Sequence, residues 1–321
     1  MLPRRASLGA NWRHEPVGAS GILVTGAPRS GTTWIGDLVG AAEALQVIHE
    51  PLNPDTRWLS PAPARHFVRL DDDPEAVRAF RRVLDFRRPA ADLFAARSRS
   101  QLAKAIRLHH AMRSARRLGA RPLVKDPIAL LSTDWLHENF GLRVVFVLRH
   151  PAGFVSSLNR LGWRTDFASW LDDPRLTELL PESRAELDAA ANGLPMIEEA
   201  IVLYNALHEA IAHFERTLDV AATIRYDDVA AEPATQIERL CHDLDVPFDA
   251  GVKQVLDTST AGPAEVDVDL ATSRRPRDRS AATTWRTRLS GPEVALVRER
   301  TERWASRWWS DADWRAERRI A

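Results

Sequence analysis

The chain has 321 residues, 45% of them apolar, with 44 basic side chains against 44 acidic ones. Such a composition is globular, and a formal charge of zero excludes a whole-molecule field that would draw nucleic acid or acidic lipid. Any anion site must therefore be a local cluster. The single cysteine, Cys241, excludes an internal disulfide and fits a reducing, cytoplasmic setting. No apolar run approaches about 18 residues, so no transmembrane helix is expected. Met1–Gly21 has basic residues but no apolar h-region, so no secretory signal is expected.

Residues 1–20 read as an irregular lead-in, followed by one domain over 21–321. Ile22-Leu23-Val24-Thr25 is a short apolar run and predicts a buried strand. Gly26-Ala27-Pro28-Arg29-Ser30-Gly31-Thr32-Thr33-Trp34 follows, and Ile35, Leu38 and Val39 then recur at helical spacing. A strand that turns through glycines into a helix start makes a phosphate cradle, because backbone N–H groups and the helix dipole face the turn. The glycine spacing matches a Walker A loop except that Thr32 stands where that loop has lysine. The loop's cation is Arg29 instead. That argues against ordinary ATP chemistry and for another phosphorylated donor.

Leu45-Gln46-Val47-Ile48 predicts a second strand, ending at His49-Glu50-Pro51. In open α/β sheets the ligand crevice lies beyond the carboxyl ends of the strands, so His49 and Glu50 stand where substrate is expected. Residues 57–119 are arginine-rich and helical in pattern, broken by Pro61, Pro63, Pro74 and Pro89. Leu102, Ile106, His109, His110 and Arg113 share one helix there. Its basic residues are either solvated faces or the lining of a groove for an acidic substrate. Pro122 to Lys125 predicts a strand with a polar rim at Lys125-Asp126-Pro127, and a helix over about 129–140 follows.

Arg143 to Leu148 is the strongest buried strand and runs into Arg149-His150-Pro151 and a helix bearing Ser156 and Ser157. Residues 165–195 are acidic and interrupted by Pro174, Pro181 and Pro195; they read as a substrate-side excursion of the mobile kind. A long helix carries Ile197, Ile201, Tyr204, Leu207, Ile211 and Phe214 on one apolar face. Val220 to Tyr226 predicts a fifth strand, Glu232 to Leu244 a helix, and 267–288 a loop with Arg274, Arg275, Arg277, Arg279, Arg286 and Arg288. Pro292 opens a last helix with Trp304 and Trp308 as packing residues. Strands alternating with helices predict an α/β fold, a P-loop-type parallel sheet flanked by helices.

Two strings carry a family resemblance. Pro28 to Trp34, P-R-S-G-T-T-W, resembles the phosphosulfate loop of the sulfotransferases that use 3′-phosphoadenosine-5′-phosphosulfate (PAPS). Val144 to Pro151 with Ser157 resembles their second motif, in which an arginine and a serine bind the donor's 3′-phosphate. A guanidinium fork and a hydroxyl suit a phosphate on chemical grounds as well. The resemblance implies PAPS as donor, adenosine 3′,5′-bisphosphate as product and no metal. It implies donor contacts from Arg29, Ser30, Gly31, Thr32, Thr33, Trp34, Arg149, Ser157 and Tyr226, with Arg29 stabilising charge on the leaving group.

The aryl and steroid members use a histidine in K-T-H; here the matching residues are Lys125-Asp126-Pro127. Carbohydrate and tyrosylprotein members have Glu-Pro after the second strand, as in Glu50-Pro51. The resemblance therefore implies Glu50 as base, with His49 as the alternative, and an acceptor that is a carbohydrate, glycolipid or other hydroxyl or amine metabolite. Lys125 either holds the sulfonate or forms a structural salt bridge with Asp126. The family's C-terminal element on the 3′-phosphate is not intact, and Arg274, Arg275 and Arg277 with Trp285 stand in for it. Two other functions stay open on the residues alone, a P-loop kinase and a nucleotide-binding module without turnover. No nucleic-acid partner is expected, and both a monomer and a homodimer are open.

Overall fold

The computed structural model describes residues 21–59, 67, 69–71, 73–94, 97–260 and 282–315. Five strands form one sheet: β1 (Ile22–Thr25), β2 (Leu45–His49), β3 (Arg121–Lys125), β4 (Arg143–Leu148) and β5 (Val220–Arg225). Their order is β2-β3-β1-β4-β5, and every pairing is parallel. All five lie where the apolar runs predict them. A parallel sheet is covered on both faces, so its strands read as continuous apolar runs.

The strands divide their side chains between two cores with period two. Leu23, Val124, Ile48, Phe146 and Leu148 face one side, and Ile22, Val24, Leu123, Val145 and Val147 face the other. The second side is closed by α1 (Thr32–Val39), and further along the chain by the helices α11 (Tyr226–Ala231), α12 (Pro233–Asp243) and α13 (Ala250–Thr260). The sequence pattern did not suggest α13.

The first side holds α2 (Pro74–Leu84), α3 (Ala91–Phe94), α4 (Arg99–Leu118), α5 (Thr133–Phe140) and α6 (Pro151–Leu161). It continues with α7 (Phe167–Leu171), α8 (Pro174–Leu179), α9 (Arg184–Ala191) and α10 (Met196–Thr217). Near the end of the chain α14 (Trp285–Arg288), α15 (Gly291–Ala305) and α16 (Asp311–Arg315) complete it.

Two expectations change. Helix α10 is buried from Glu199 to Ala212, not along one face only. It packs against both α6 and α15, so its polar residues Asn205, His208 and Glu209 are enclosed as well. The acidic stretch 165–195 is not an open excursion. Phe167, Trp170, Leu176, Leu180 and Leu187 are sealed in the main core. Glu209 of α10 fastens the stretch by accepting the backbone N–H groups of Glu182 and Ser183, each at 2.8 Å, and the Ser183 hydroxyl at 2.6 Å.

β1 is central, with β3 on one flank and β4 on the other. The chain leaves β1 toward one flank and later crosses to the other, so the loop after β1 opens at the switch point of the sheet. The register sets His49 beside Lys125 and Lys125 beside Val24. The ends of β2, β3 and β1 therefore share one rim.

Candidate active site

The loop from Gly26 to Gly31 is shaped by what surrounds it. Gly26 has φ +150°, and a Cβ there would lie 2.2 Å from the Val147 carbonyl oxygen. Gly31 has φ +94°, and its Cβ would lie 2.3 Å from the Tyr226 ring. Both positions exclude any larger residue. Arg29 also has positive φ, at 67°, an uncommon conformation for a side chain with a Cβ. The Ser30 N–H closes the turn on the Ala27 carbonyl at 3.1 Å.

Gly31 is the N-cap of α1 and supplies no side-chain cap. The first N–H groups of the helix thus have no partner within it. The Ser30 hydroxyl is buried without a hydrogen-bond partner among the described residues. Uncapped amides, a helix start and an orphaned hydroxyl together make a concavity that suits an anion.

The two predicted phosphate motifs meet here. Arg149 follows β4 and donates from Nη1 to the Arg29 carbonyl at 2.7 Å. Arg29 donates from Nε to the Ser157 hydroxyl on α6 at 3.4 Å. The Arg149 guanidinium also lies 5.2 Å from the centre of the Tyr226 ring. Tyr226 meets Trp34 edge to face at 5.6 Å, and Trp34 donates from Nε1 to Ser259 of α13 at 3.2 Å. Both rings are almost wholly buried, so they brace the loop from the protein side.

A second cluster occupies the rim of β2 and β3. The Lys125 side chain is fully buried, and its Nζ donates to Glu50 Oε1 at 2.6 Å and to Thr33 Oγ1 at 3.1 Å. Thr33 is part of the loop motif, so this lysine links the loop to Glu50. Asn53 donates to Glu50 Oε2 at 2.9 Å. Burial acts to raise the Glu50 pKa, but the Lys125 charge, with hydrogen bonds from Lys125 and Asn53, brings it below the ordinary glutamate value. Glu50 also has positive φ, at 46°. His49 is half exposed, with Nδ1 3.9 Å from Glu50 Oε1.

Lys125 does not pair with Asp126. Neighbours on a strand point to opposite faces. Asp126 turns away and accepts the N–H groups of Leu52 at 2.7 Å and Ile128 at 2.9 Å. Its full burial raises its pKa to about 7 against the pull of those two bonds.

The model of the sulfotransferase family matches residues 21–250, which hold both phosphate motifs, Glu50, Lys125 and Tyr226. The chain belongs to the sulfotransferase family. It is similar to the sulfotransferase domain of the curacin biosynthetic pathway, at 16% identity over 90% of this chain and 97% of that one, with a TM-score of 0.49. It is similar to the sulfotransferase domain of the Synechococcus PCC 7002 olefin synthase, at 16% identity over 93% and 98%, with a TM-score of 0.49. Similarity to sulfotransferase STF1 of Mycobacterium tuberculosis H37Rv is 16% identity over 88% and 76%, with a TM-score of 0.44. A comparison with curated proteins finds no match. No helix among the described residues of this sulfotransferase is long and apolar enough to cross a membrane.

Three residues around the site were not singled out in the sequence. Asn53 follows Glu-Pro by two positions, and its side chain is what fixes the second Glu50 oxygen. Gly36 lies inside α1, and a Cβ there would come within 2.6 Å of Lys125 Cγ. A glycine in a helix interior is costly unless something packs against it, and that was the available signal. His150 stacks on Trp285 at 4.9 Å with ring planes 3° apart. Burial and the nearby Arg286 lower its pKa to about 3. Arg274, Arg275 and Arg277 lie outside the described residues. Trp285, named beside them, packs on His150 and under the Arg286 guanidinium, 4.2 Å from its ring centre.

Proposed function

We propose that this sulfotransferase takes its sulfuryl group from PAPS and passes it to a hydroxyl or amine of a small-molecule or glycan acceptor, releasing adenosine 3′,5′-bisphosphate. The observation that carries the reading is the junction of the two motifs. Arg149 holds the Arg29 carbonyl while Arg29 reaches Ser157, so two guanidinium groups and a hydroxyl converge on one place. A nucleotide with anionic groups at both ends of one ribose has that need.

The chain's residues fit such a donor on the 5′ side through the Ser30 hydroxyl and the uncapped start of α1. Arg29 and the N–H groups of Ser30 to Thr33 bind there and offset charge that grows on the departing oxygen. Thr32 and Thr33 add hydroxyls. Arg149 and Ser157 take the 3′-phosphate, and Trp34 and Tyr226 hold the loop for the adenosine side. When bound, PAPS supplies an activated sulfur–oxygen bond whose cleavage requires no redox partner.

Glu50 accepts the acceptor's proton on a carboxylate oxygen. Its side chain is 20% exposed, open enough for a hydroxyl to reach. A carboxylate oxygen has two acceptor positions, so the bonds from Lys125 and Asn53 leave room for a third. Lys125 keeps the carboxylate ionised and, fully buried between Glu50 and Thr33, orients both toward the transferred sulfonate. His49 is close enough to take the base role if Glu50 does not. Carbohydrates, glycolipids and other hydroxyl metabolites are the acceptor classes proposed.

Labelled PAPS incubated with a panel of sugar, glycolipid and amine acceptors tests the reaction. Transfer that needs both donor and acceptor is expected. Titration with adenosine 3′,5′-bisphosphate and with ATP–magnesium tests the donor class; far tighter binding of ATP–magnesium would point to kinase chemistry. Tight binding without turnover would point to a nucleotide-binding module.

A further inference from the structure

Among the described residues five large apolar side chains are strongly exposed, and four of them lie on α3 and α4 or at their ends: Phe94 at 88%, Leu102 at 40%, Ile106 at 54% and Leu118 at 81%. The same region is rich in positive charge. Helix α4 carries Arg99, Lys104, Arg107, Arg113, Arg116 and Arg117 and no acidic residue. In a chain whose charges sum to zero, that is a local cationic surface. None of these six basic residues is in an ion pair among the described residues.

The helix has two distinct faces. Ala105, Leu108, Met112 and Ala115 follow helical spacing and turn toward the protein, with Met112 and Ala115 in the core. Arg99, Leu102, Ile106, His110, Arg113 and Arg117 also recur every three or four residues, and all six are exposed. The outward stripe thus has aliphatic side chains in its first half and arginines at its start and in its second half.

We infer that the outward face of α3 and α4 docks on a lipid bilayer bearing anionic headgroups. Phe94, Leu102 and Ile106 enter the boundary between headgroups and acyl chains, while the arginines extend along the surface to the lipid phosphates. A cluster of basic residues on an amphipathic helix suits an anionic leaflet for that reason. A second copy of the same face is disfavoured, because it would bring two cationic helices together. A nucleic-acid backbone would satisfy the arginines but leave the aliphatic side chains in water. An acidic protein would have to offer a groove shaped to a convex helix, whereas a bilayer takes both groups without one.

The surface is connected to the Glu50 loop through Arg88. Arg88 donates to the Thr56 carbonyl at 2.7 Å, and the Thr56 hydroxyl donates to the Glu50 carbonyl at 2.8 Å. Phe94 is six residues beyond Arg88, within about 20 Å along the chain.

Flotation of the full chain with two kinds of vesicle tests the inference: phosphatidylcholine alone, and phosphatidylcholine with about one third phosphatidylglycerol. Binding to the anionic vesicles only, weakened by salt, is the expected result. Phe94→Ser with Ile106→Ser, and separately Arg113→Glu with Arg117→Glu, should each lower the bound fraction about tenfold or more while the thermal melt stays unchanged. Equal binding to both vesicles, no binding, or full binding by both variants overturns it. So does a dimer in sedimentation that the same variants dissociate, or retention on heparin or DNA without retention on vesicles. No donor or turnover enters the measurement, so its outcome is separate from that of the transfer reaction.

Discussion

Lys125 Nζ lies 2.6 Å from Glu50 Oε1, and the lysine side chain has no contact with solvent. A buried cation needs a partner, and its removal leaves an uncompensated charge. Glu50 in turn sits at a backbone angle that few side chains adopt. The pair therefore fixes both the charge state and the position of the carboxylate. Thr33 shares the same ammonium, so a shift of the loop is felt at Glu50.

Glu50→Gln should lower transfer by roughly 10²–10⁴-fold, the range for losing a general base, with donor affinity nearly unchanged. The pH profile adds a sign. The Glu50 pKa lies below its ordinary 4.5, so the carboxylate stays ionised as pH falls to that value. The acid limb of kcat/KM should lie below 4.5 in the native enzyme and rise in Lys125→Met, which removes the charge that lowers the pKa. An acid limb near the ordinary histidine value, abolished by His49→Ala, would assign the base to His49.

Arg29→Ala should lower turnover by about 10²–10³-fold, the scale of losing one oxyanion-type donor. Arg149→Ala should weaken PAPS binding more than acceptor binding. Arg149 also holds the Arg29 carbonyl, so the two losses should not multiply. Measuring kcat/KM for PAPS in both single variants and the double variant checks this. A double loss equal to the product of the single losses would show two independent sites.

The fold was legible because the inner strands β1, β3 and β4 are covered on both faces and so read largely as apolar runs without alternation. The loop was legible because Gly26 and Gly31 answer to close contacts with Val147 and Tyr226 that exclude a Cβ. What the sequence left open depends on register. Lys125 had Asp126 beside it in sequence, but parallel pairing sets His49 across from Lys125 and puts Glu50 within reach. The packing of the stretch 165–195 was hidden from the sequence for a similar reason. Its order comes from Glu209, 26 residues after Ser183, and from Trp170 and Leu180 entering a core assembled by α10. No local pattern reports an anchor of that kind.

Gly36→Ala tests how closely α1 packs on Lys125. Alanine is favoured over glycine in a helix interior by roughly 0.5–1 kcal/mol, so an unhindered site would gain stability. Here the new Cβ would lie 2.6 Å from Lys125 Cγ, near the root of the side chain. The variant should instead lose about 1–3 kcal/mol, as overpacking does, and lose transfer as Lys125 shifts from Glu50. Adding Lys125→Ala should recover the packing loss. Urea unfolding of both single variants and the double variant gives the coupling, and zero coupling would mean the helix accommodates the methyl group elsewhere.

His150 gives a prediction for stability against pH. Its ring stacks on Trp285 and meets Trp309 and Trp314 edge on, and neither ring nitrogen has a hydrogen-bond partner among the described residues. Its pKa falls from 6.5 to about 3, chiefly through burial and then through Arg286. The unfolded chain therefore binds a proton below 6.5 that the folded chain refuses until about 3. Stability from this group is complete above 6.5 and declines as pH falls through that window, by up to about 1.4 kcal/mol per unit. His150→Phe keeps a flat ring for the tryptophans and removes the proton. Between about pH 7.5 and 4.5 the native protein should lose roughly 2–3 kcal/mol more than the variant in urea unfolding. The backbone N–H of residue 150, which donates to Asp227 at 3.2 Å, is untouched by the change. Parallel curves for the two proteins would mean that water reaches the imidazole and lets it titrate in the folded state.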